Sequence, residues 1–225
     1  MMTTDLFEHD RTKVVDGVRS LTEKGLLAQE TGGNVSVRIS GADGLAITPS
    51  QTPYREMTPG DICVLGPDLS PLIHNNRKPS IEAGMHLRVY RQRPDVRAVV
   101  HTHQRFASIF ALINRPLPAL FDEVSLFIGN RVEVVPYGFS GSRQLIDNLT
   151  PLLDNRANCY ILQNHGALSL GTDMEKAVRN ATLLEKAAEI YYRALATGLT
   201  VNELPADTQT LLAALLSEEQ QKATS

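Results

Sequence analysis

The chain has 225 residues, 42% hydrophobic content and a net charge of -3. That length and apolar share suffice for one sizeable core, and the absence of a basic excess argues against a nucleic-acid footprint. No apolar run approaches the ~20 residues of a membrane-spanning helix, and the acidic N-terminal segment lacks a signal-peptide core. A cytoplasmic protein that binds neither nucleic acid nor membrane is therefore expected. Cys63 and Cys159 lie in apolar, strand-like segments, where buried free thiols are the default in a reducing compartment.

Taken in chain order, Val14, Val15, Val18, Leu21, Leu26 and Leu27 recur at helical spacing and predict a helix over 11–28, weakened near its end by Gly25. Thr31-Gly32-Gly33-Asn34 reads as a turn, and strands at 35–39 and 45–48 as a hairpin. A loop over 49–59 leads to a short strand at 62–65 and a polar, turn-rich stretch to Pro79. Ser80 is the expected N-cap of a helix over 82–91 that stops before Pro94. A strand over 96–101 and a helix over 106–113 follow, then Pro116 and Pro118. A strand at 132–135 precedes a helix opened by Ser140-Gly141-Ser142-Arg143 and running through Leu153. Strands at 159–162 and 167–170 flank a turn at Asn164-His165-Gly166, a long helix spans 174–196, and a last one spans about 207–219. With no repeat, linker or composition break, residues 1–225 read as a single α/β domain. The hairpins predict a mixed or mostly antiparallel sheet with helices on its faces. No Gly-x-Gly-x-x-Gly fingerprint or Walker loop is present.

The residues that carry chemistry are three histidines and a glutamate. His101 and His103 stand two apart at the end of an apolar strand, so both imidazoles can face one point. Buried there, they need polar partners or a metal. His165, from a distant turn, completes three nitrogens with a position left open, the pattern of a catalytic zinc-type site. Glu82 supplies a carboxylate able to move a proton.

With these residues in place the chain resembles the class II aldolase/adducin family, and among its enzymes the fuculose-phosphate aldolases. The resemblance runs from about residue 8 to about residue 195. It rests on Gly33-Asn34-Val35-Ser36-Val37-Arg38, Ile47-Thr48-Pro49, Pro79-Ser80-Ile81-Glu82, His101-Thr102-His103, Pro136-Tyr137 and Gln163-Asn164-His165-Gly166, in matching order and spacing. It implies a three-layer α/β/α fold around a mainly antiparallel sheet of about nine strands, and a homo-oligomer, commonly a cyclic tetramer with active sites at subunit boundaries. It implies that His101, His103, His165 and Glu82 bind a divalent metal ion, Zn2+ foremost with Mn2+ or Co2+ as alternatives, and that Glu82 is also the acid/base. Thr31, Asn34, Ser50 and Ser80 match substrate-binding positions. The implied activity is a carbon–carbon lyase: retro-aldol cleavage of a ketose, ketose phosphate or related sugar acid through a metal-stabilised enediolate. Decarboxylation of a 3-oxo sugar acid and a non-catalytic, adducin-like interaction module are the alternatives.

The pattern also departs from the family. Gln51 stands where Gly is usual and Ile81 where a second Ser is usual, so the phosphate site reads as partly dismantled, and a carboxylate or uncharged substrate end is expected to compete with phosphate. Asp122 and Glu123 fall near the position of a family tyrosine that protonates the leaving group from the adjacent subunit. They read either as a substitute proton donor with a pKa raised by burial or as a charge pair at a helix N-terminus. Tyr191 and Tyr192 read as core or interface residues. His86, four residues after Glu82, shares its helix face, while His9 and His74 read as surface. The segment from Ser140 to Arg143 resembles an anion nest, with a plain N-cap as the simpler account.

Overall fold

The computed structural model describes residues 7–27 and 32–224. Helix α1 (Glu8–Glu23) buries Val14, Val15, Val18 and Leu21 at the predicted spacing. It stops short of Gly25, whose φ of +69° suits a residue without Cβ. Then come β1 (Asn34–Arg38), β2 (Leu45–Ile47), β3 (Cys63–Leu65), α2 (Ala83–Gln92), β4 (Ala98–Thr102), α3 (Arg105–Ile113), α4 (Asp122–Phe127) and β5 (Val134–Val135). They are followed by α5 (Arg143–Leu149), β6 (Cys159–Leu162), β7 (Gly166–Gly171), α6 (Met174–Ala196) and α7 (Ala206–Lys222). Among the described residues no helix is long and apolar enough to cross a membrane.

The strands form one sheet in the order β3-β2-β1-β4-β7-β6-β5. Every pairing is antiparallel except β5 with β6. Strand alternation sends Val99, Leu168 and Leu170 to one face, against Met85 and Val89 of α2 and Leu145 and Leu149 of α5. Val35, Val37, Ala98 and Val100 go to the other, against α1 and the start of α6. There α3, α4 and the rest of α6 cover Ile161 and Ala167. The result is the expected three-layer α/β/α arrangement.

The sheet has seven strands among the described residues rather than about nine. The additional pairings, Pro49 with Pro79, Leu65 with Pro71 and Leu117 with Val132, are isolated bridges. Three of those six residues are prolines, which lack the N–H needed to extend a ladder. The helix expected through Leu153 gives way after Leu149 to a tighter 3-10 segment, Thr150–Asn155, with Pro151 in its first turn. Helix α4, absent from the expected elements in chain order, carries Asp122 and Glu123 in its first turn. The register opposes Asn34 to His101, and His101 to Leu168. This brings the start of β1, the end of β4 and the β6–β7 turn to one end of the sheet.

Candidate active site

His101 is fully buried and shares the α2-facing side of β4 with Val99. Its Nδ1–H donates to the Ala167 carbonyl at 2.9 Å, which leaves the Nε2 lone pair free to act as a ligand. One step beyond β4, His103 places its Nε2 3.1 Å from His101 Nε2. His165 comes from the β6–β7 turn, where Asn164 takes a φ of +55° and the His165 N–H donates to Leu162 at 3.0 Å. Asn tolerates that left-handed conformation better than most residues.

The three ligand nitrogens lie within 4.8 Å of one another. Two nitrogens bonded tetrahedrally to one zinc at ~2.0–2.1 Å are themselves ~3.3 Å apart, so the pairing at the end of β4 already fits. Burial pushes the His101 pKa down to about 4, more than the attraction of Glu82 raises it. Its lone pair is thus available at neutral pH. His103 is lowered as well, by burial and then by the neighbouring His165. The donor set therefore fits a divalent ion.

Glu82 is the N-cap residue of α2, and its side chain is buried against the three imidazoles. Its Oε2 lies 3.3 Å from His101 Nε2, and its Oε1 3.5 Å from His165 Nε2. Each oxygen also accepts one neutral hydrogen bond, Oε2 from Asn34 Nδ2 at 2.7 Å and Oε1 from the Ser140 hydroxyl at 3.1 Å. Burial alone would raise this carboxyl's pKa. The pull of His101 and His165 and the Asn34 bond outweigh it and hold the group below the usual range.

Glu82, Asn34, Ser140, His103 and His165 line a cavity of about 520 Å³ together with Ser50, Gln51, Lys78, Ser80, Ile81 and Tyr54, with His101 buried behind its wall. Ser80 is not the N-cap that the sequence suggested. The helix starts later, at Ala83, and the Ser80 hydroxyl accepts the Glu82 N–H at 3.3 Å. The Ser50 hydroxyl donates to the Pro79 carbonyl at 2.9 Å, so it turns lone pairs rather than a proton toward the cavity. One Asn34 N–H is committed to Glu82. Thr31 lies outside the described residues. Gln51 is exposed at a φ of +56°, a conformation that accounts for glycine as the usual residue there. Ile81 is 67% exposed on the cavity wall.

Asp122 and Glu123 are exposed, and Glu123 lies 3.5 Å from Lys186. Neither lines this chain's own cavity, and both stand in the first turn of α4, where the helix dipole favours acidic side chains. Tyr191 stacks on Phe110 with centroids 5.2 Å apart and accepts from Arg115 Nε, so it is a core residue. Tyr192 sits 6.0 Å from Phe106. Ser142 caps α5 by accepting the Leu145 N–H at 3.2 Å, while its neighbour Ser140 reaches the site. His9 and His74 are exposed as expected.

Sequence reasoning missed the Ser140 contact, Lys78 and Tyr54. The Tyr54 hydroxyl donates to the Gly33 carbonyl, and burial and then the Glu82 charge push its pKa up. Its signal was indirect. The glycines it faces are required, because a Cβ on Gly33 would sit 2.3 Å from the His101 carbonyl oxygen.

Residues 12–192 match the Class II Aldolase and Adducin N-terminal domain. The chain belongs to that family. It is 34% identical over 184 residues to an L-fuculose phosphate aldolase of Escherichia coli, covering 82% of this chain and 83% of the relative. It is 35% identical over 185 residues to a 5-methylthioribulose-1-phosphate/5-deoxyribulose-1-phosphate aldolase of Rhodospirillum rubrum, covering 82% and 81%. A solved L-fuculose 1-phosphate aldolase superposes with a TM-score of 0.86 at 28% identity, covering 96% of this chain and 98% of its own. Among family members named as aldolases, this chain is an aldolase-type lyase.

Proposed function

We propose that this chain is a divalent-metal-dependent lyase that cleaves a ketose 1-phosphate, or a closely related acid-bearing ketose, by retro-aldol reaction through an enediolate of the substrate. The observation that carries this reading is Glu82, held between His101 and His165 at 3.3 and 3.5 Å on the wall of a cavity. The names of its relatives support a sugar-phosphate substrate. His101, His103 and His165, with Glu82 beside them, would hold the ion. Zn2+ is the first choice for such donors, with Mn2+ or Co2+ as alternatives. When bound, the ion would stabilise negative charge on the substrate's carbonyl oxygen.

The chain's own groups do the rest. As the carbon–carbon bond breaks, the carbinol hydroxyl loses its proton and the electron pair passes to the carbonyl-bearing fragment. That fragment is then protonated on carbon. Glu82 is the carboxylate placed to carry this proton, and Asn34 and Ser140 fix its two oxygens. Substrate binding is assigned to Thr31, Asn34, Ser50 and Ser80, with Lys78 adding a positive charge to the cavity wall. A second reading, decarboxylation of a 3-oxo sugar acid, is favoured by Gln51 and Ile81, which crowd the expected phosphate end. We further propose a cytoplasmic homotetramer whose chain forms one domain over residues 1–225. Exposed apolar side chains such as Leu112, Ile113, Phe121 and Phe139 support association.

The test is metal analysis followed by a screen over ketose 1-phosphates, 3-oxo sugar acids and their unphosphorylated forms. Glu82→Gln should lower kcat about 10²-fold or more while the protein stays folded. Wild-type rates of proton exchange at the substrate's alpha carbon in that variant would remove Glu82 from this role. A protein with neither bound metal nor turnover would be an interaction module. A monomer by light scattering at micromolar concentration would refute the tetramer.

A further inference from the structure

Behind Glu82, one face of α2 meets one face of β1 in a buried ladder of polar contacts. Glu82, His86 and Tyr90 stand four apart on the helix, and Asn34, Ser36 and Arg38 two apart on the strand. Four helical residues rise about 6 Å and two strand residues about 6.7 Å, so the rungs stay in step. Asn34 Nδ2 bonds Glu82 at 2.7 Å. Ser36 Oγ lies 2.7 Å from His86 Nδ1 and 2.7 Å from the Tyr90 hydroxyl. The Arg38 guanidinium donates to the Tyr90 carbonyl and lies over its ring, 5.1 Å from the centroid. Ser36 and His86 are fully buried, and Tyr90 is nearly so.

The direction of the protons along this ladder follows from counting. If Tyr90 donates to Ser36 and Ser36 to His86 Nδ1, one buried group is left over, the Nε2–H of His86. In the reverse order both the Tyr90 proton and the His86 Nε2 lone pair lack partners, the costlier arrangement. Two buried atoms in this ladder have no protein partner: His86 Nε2, and on the adjacent rung Asn34 Oδ1. One is a donor and the other an acceptor.

Resting on the reading of Glu82 above, we propose that His86 is a positioning residue. As the neutral Nε2–H tautomer it donates, through one internal water, to Asn34 Oδ1. This fixes which way the Asn34 amide points, so that its Nδ2, not its oxygen, faces Glu82. A flipped amide would set an oxygen against the carboxylate and turn it away from His101 and His165.

Two variants separate this role from mere packing, because glutamine places a donor near the Nε2 position whereas asparagine replaces only the Nδ1 side. His86→Gln should keep kcat within about threefold of the unsubstituted protein, and His86→Asn should lower it by about tenfold or more at little-changed KM. Zinc affinity, measured by competition with a chelator, should follow the same order. Solid-state 15N spectra of histidine-labelled protein, with the His86 signals assigned by their loss in His86→Gln, should show a bare Nδ1 and a protonated Nε2. An Nδ1–H tautomer, or equal kcat and zinc affinity in the two variants, overturns the proposal. If the unsubstituted protein has no turnover, the lyase reading fails, and the tautomer and zinc affinities alone decide the ladder.

Discussion

Gly166 opens β7 directly beside the clustered imidazoles of His101 and His103, and replacing it with alanine is a sharp test of the site's geometry. A Cβ there would sit 2.4 Å from the Thr102 carbonyl oxygen, 2.8 Å from His103 Cδ2 and 3.3 Å from His101 Cε1. Ordinary non-bonded separations are ~3.5 Å or more, so β4 and β7 must part by about 1 Å. Both strands are internal to the sheet, between β1 and β6, so neither can relax into solvent. Overpacking of this kind costs about 1–3 kcal/mol, which for a chain of this size lowers Tm by roughly 3–10 °C. The same displacement moves His103 away from His101, and a 1 Å error at a reacting centre costs about 10²-fold in rate. Thermal melts in EDTA, zinc competition and turnover of Gly166→Ala measure these three effects separately. Gly84→Ala is the control. Its Cβ would lie 3.2 Å from the half-buried Ile146 Cδ1, a side-chain tip able to shift, and helix propensity should then stabilise α2 by up to about 1 kcal/mol. A Gly166→Ala protein that melts like the parent and binds zinc equally well would refute the geometry.

His103→Ala should remove bound zinc and turnover together, since it deletes one of three nitrogens while leaving the core untouched; retention of stoichiometric metal would exclude His103 as a ligand. Burial pushes the Cys159 thiol up to about 12 from 9.0, so its contribution to stability is complete below pH 9 and is lost as pH rises toward 12. At pH 10.5 the loss is about 2 kcal/mol, and Cys159→Ser should flatten denaturant midpoints over that range; an unchanged slope would contradict the burial effect. Neither Cys159 nor the similarly buried Cys63, pushed up to about 11, should react with a thiol reagent at pH 8 until the chain is unfolded. Gln51→Gly combined with Ile81→Ser should shift preference toward phosphorylated substrates. If the unsubstituted protein already favours them by more than about 100-fold in kcat/KM, or roughly 2.7 kcal/mol, the two residues do not weaken phosphate recognition.

The parts of this site that were legible in the sequence are those set by local geometry. The alternation of a strand puts His101 and His103 on one point without knowledge of any partner strand, and an Asn-His-Gly turn between two apolar runs announces itself. What stayed hidden depends on packing. The Ser140 and Asn34 contacts to Glu82 join residues 58 and 48 apart in the chain, and nothing local distinguishes Ser140 from any residue of a capping loop. Helix α4 has only six residues, too few for a period of 3.6 to show. The start of α2 was misplaced because Ser80 is a good cap by type, yet its hydroxyl serves the turn that presents Glu82.

Two buried carboxylates in this fold are treated in opposite ways, and the contrast bears on function. Asp95, just before β4, is gripped by both nitrogens of the Arg93 fork at 2.9 and 2.8 Å, with Arg156 3.4 Å away. Such a bidentate pair keeps the carboxylate charged and fixed, a structural lock. Glu82 is as thoroughly buried, but among the described residues no lysine or arginine pairs with it, and its oxygens meet only an amide, a hydroxyl and two imidazoles. Neutral donors orient a carboxylate without supplying a permanent counter-charge, and a buried charge left without one is costly. That counter-charge can come from a cation bound among the imidazoles, from a protonated imidazole, or from a proton on Glu82 itself. A carboxylate that can exchange the cation for the proton is what a proton-transferring group beside a metal requires.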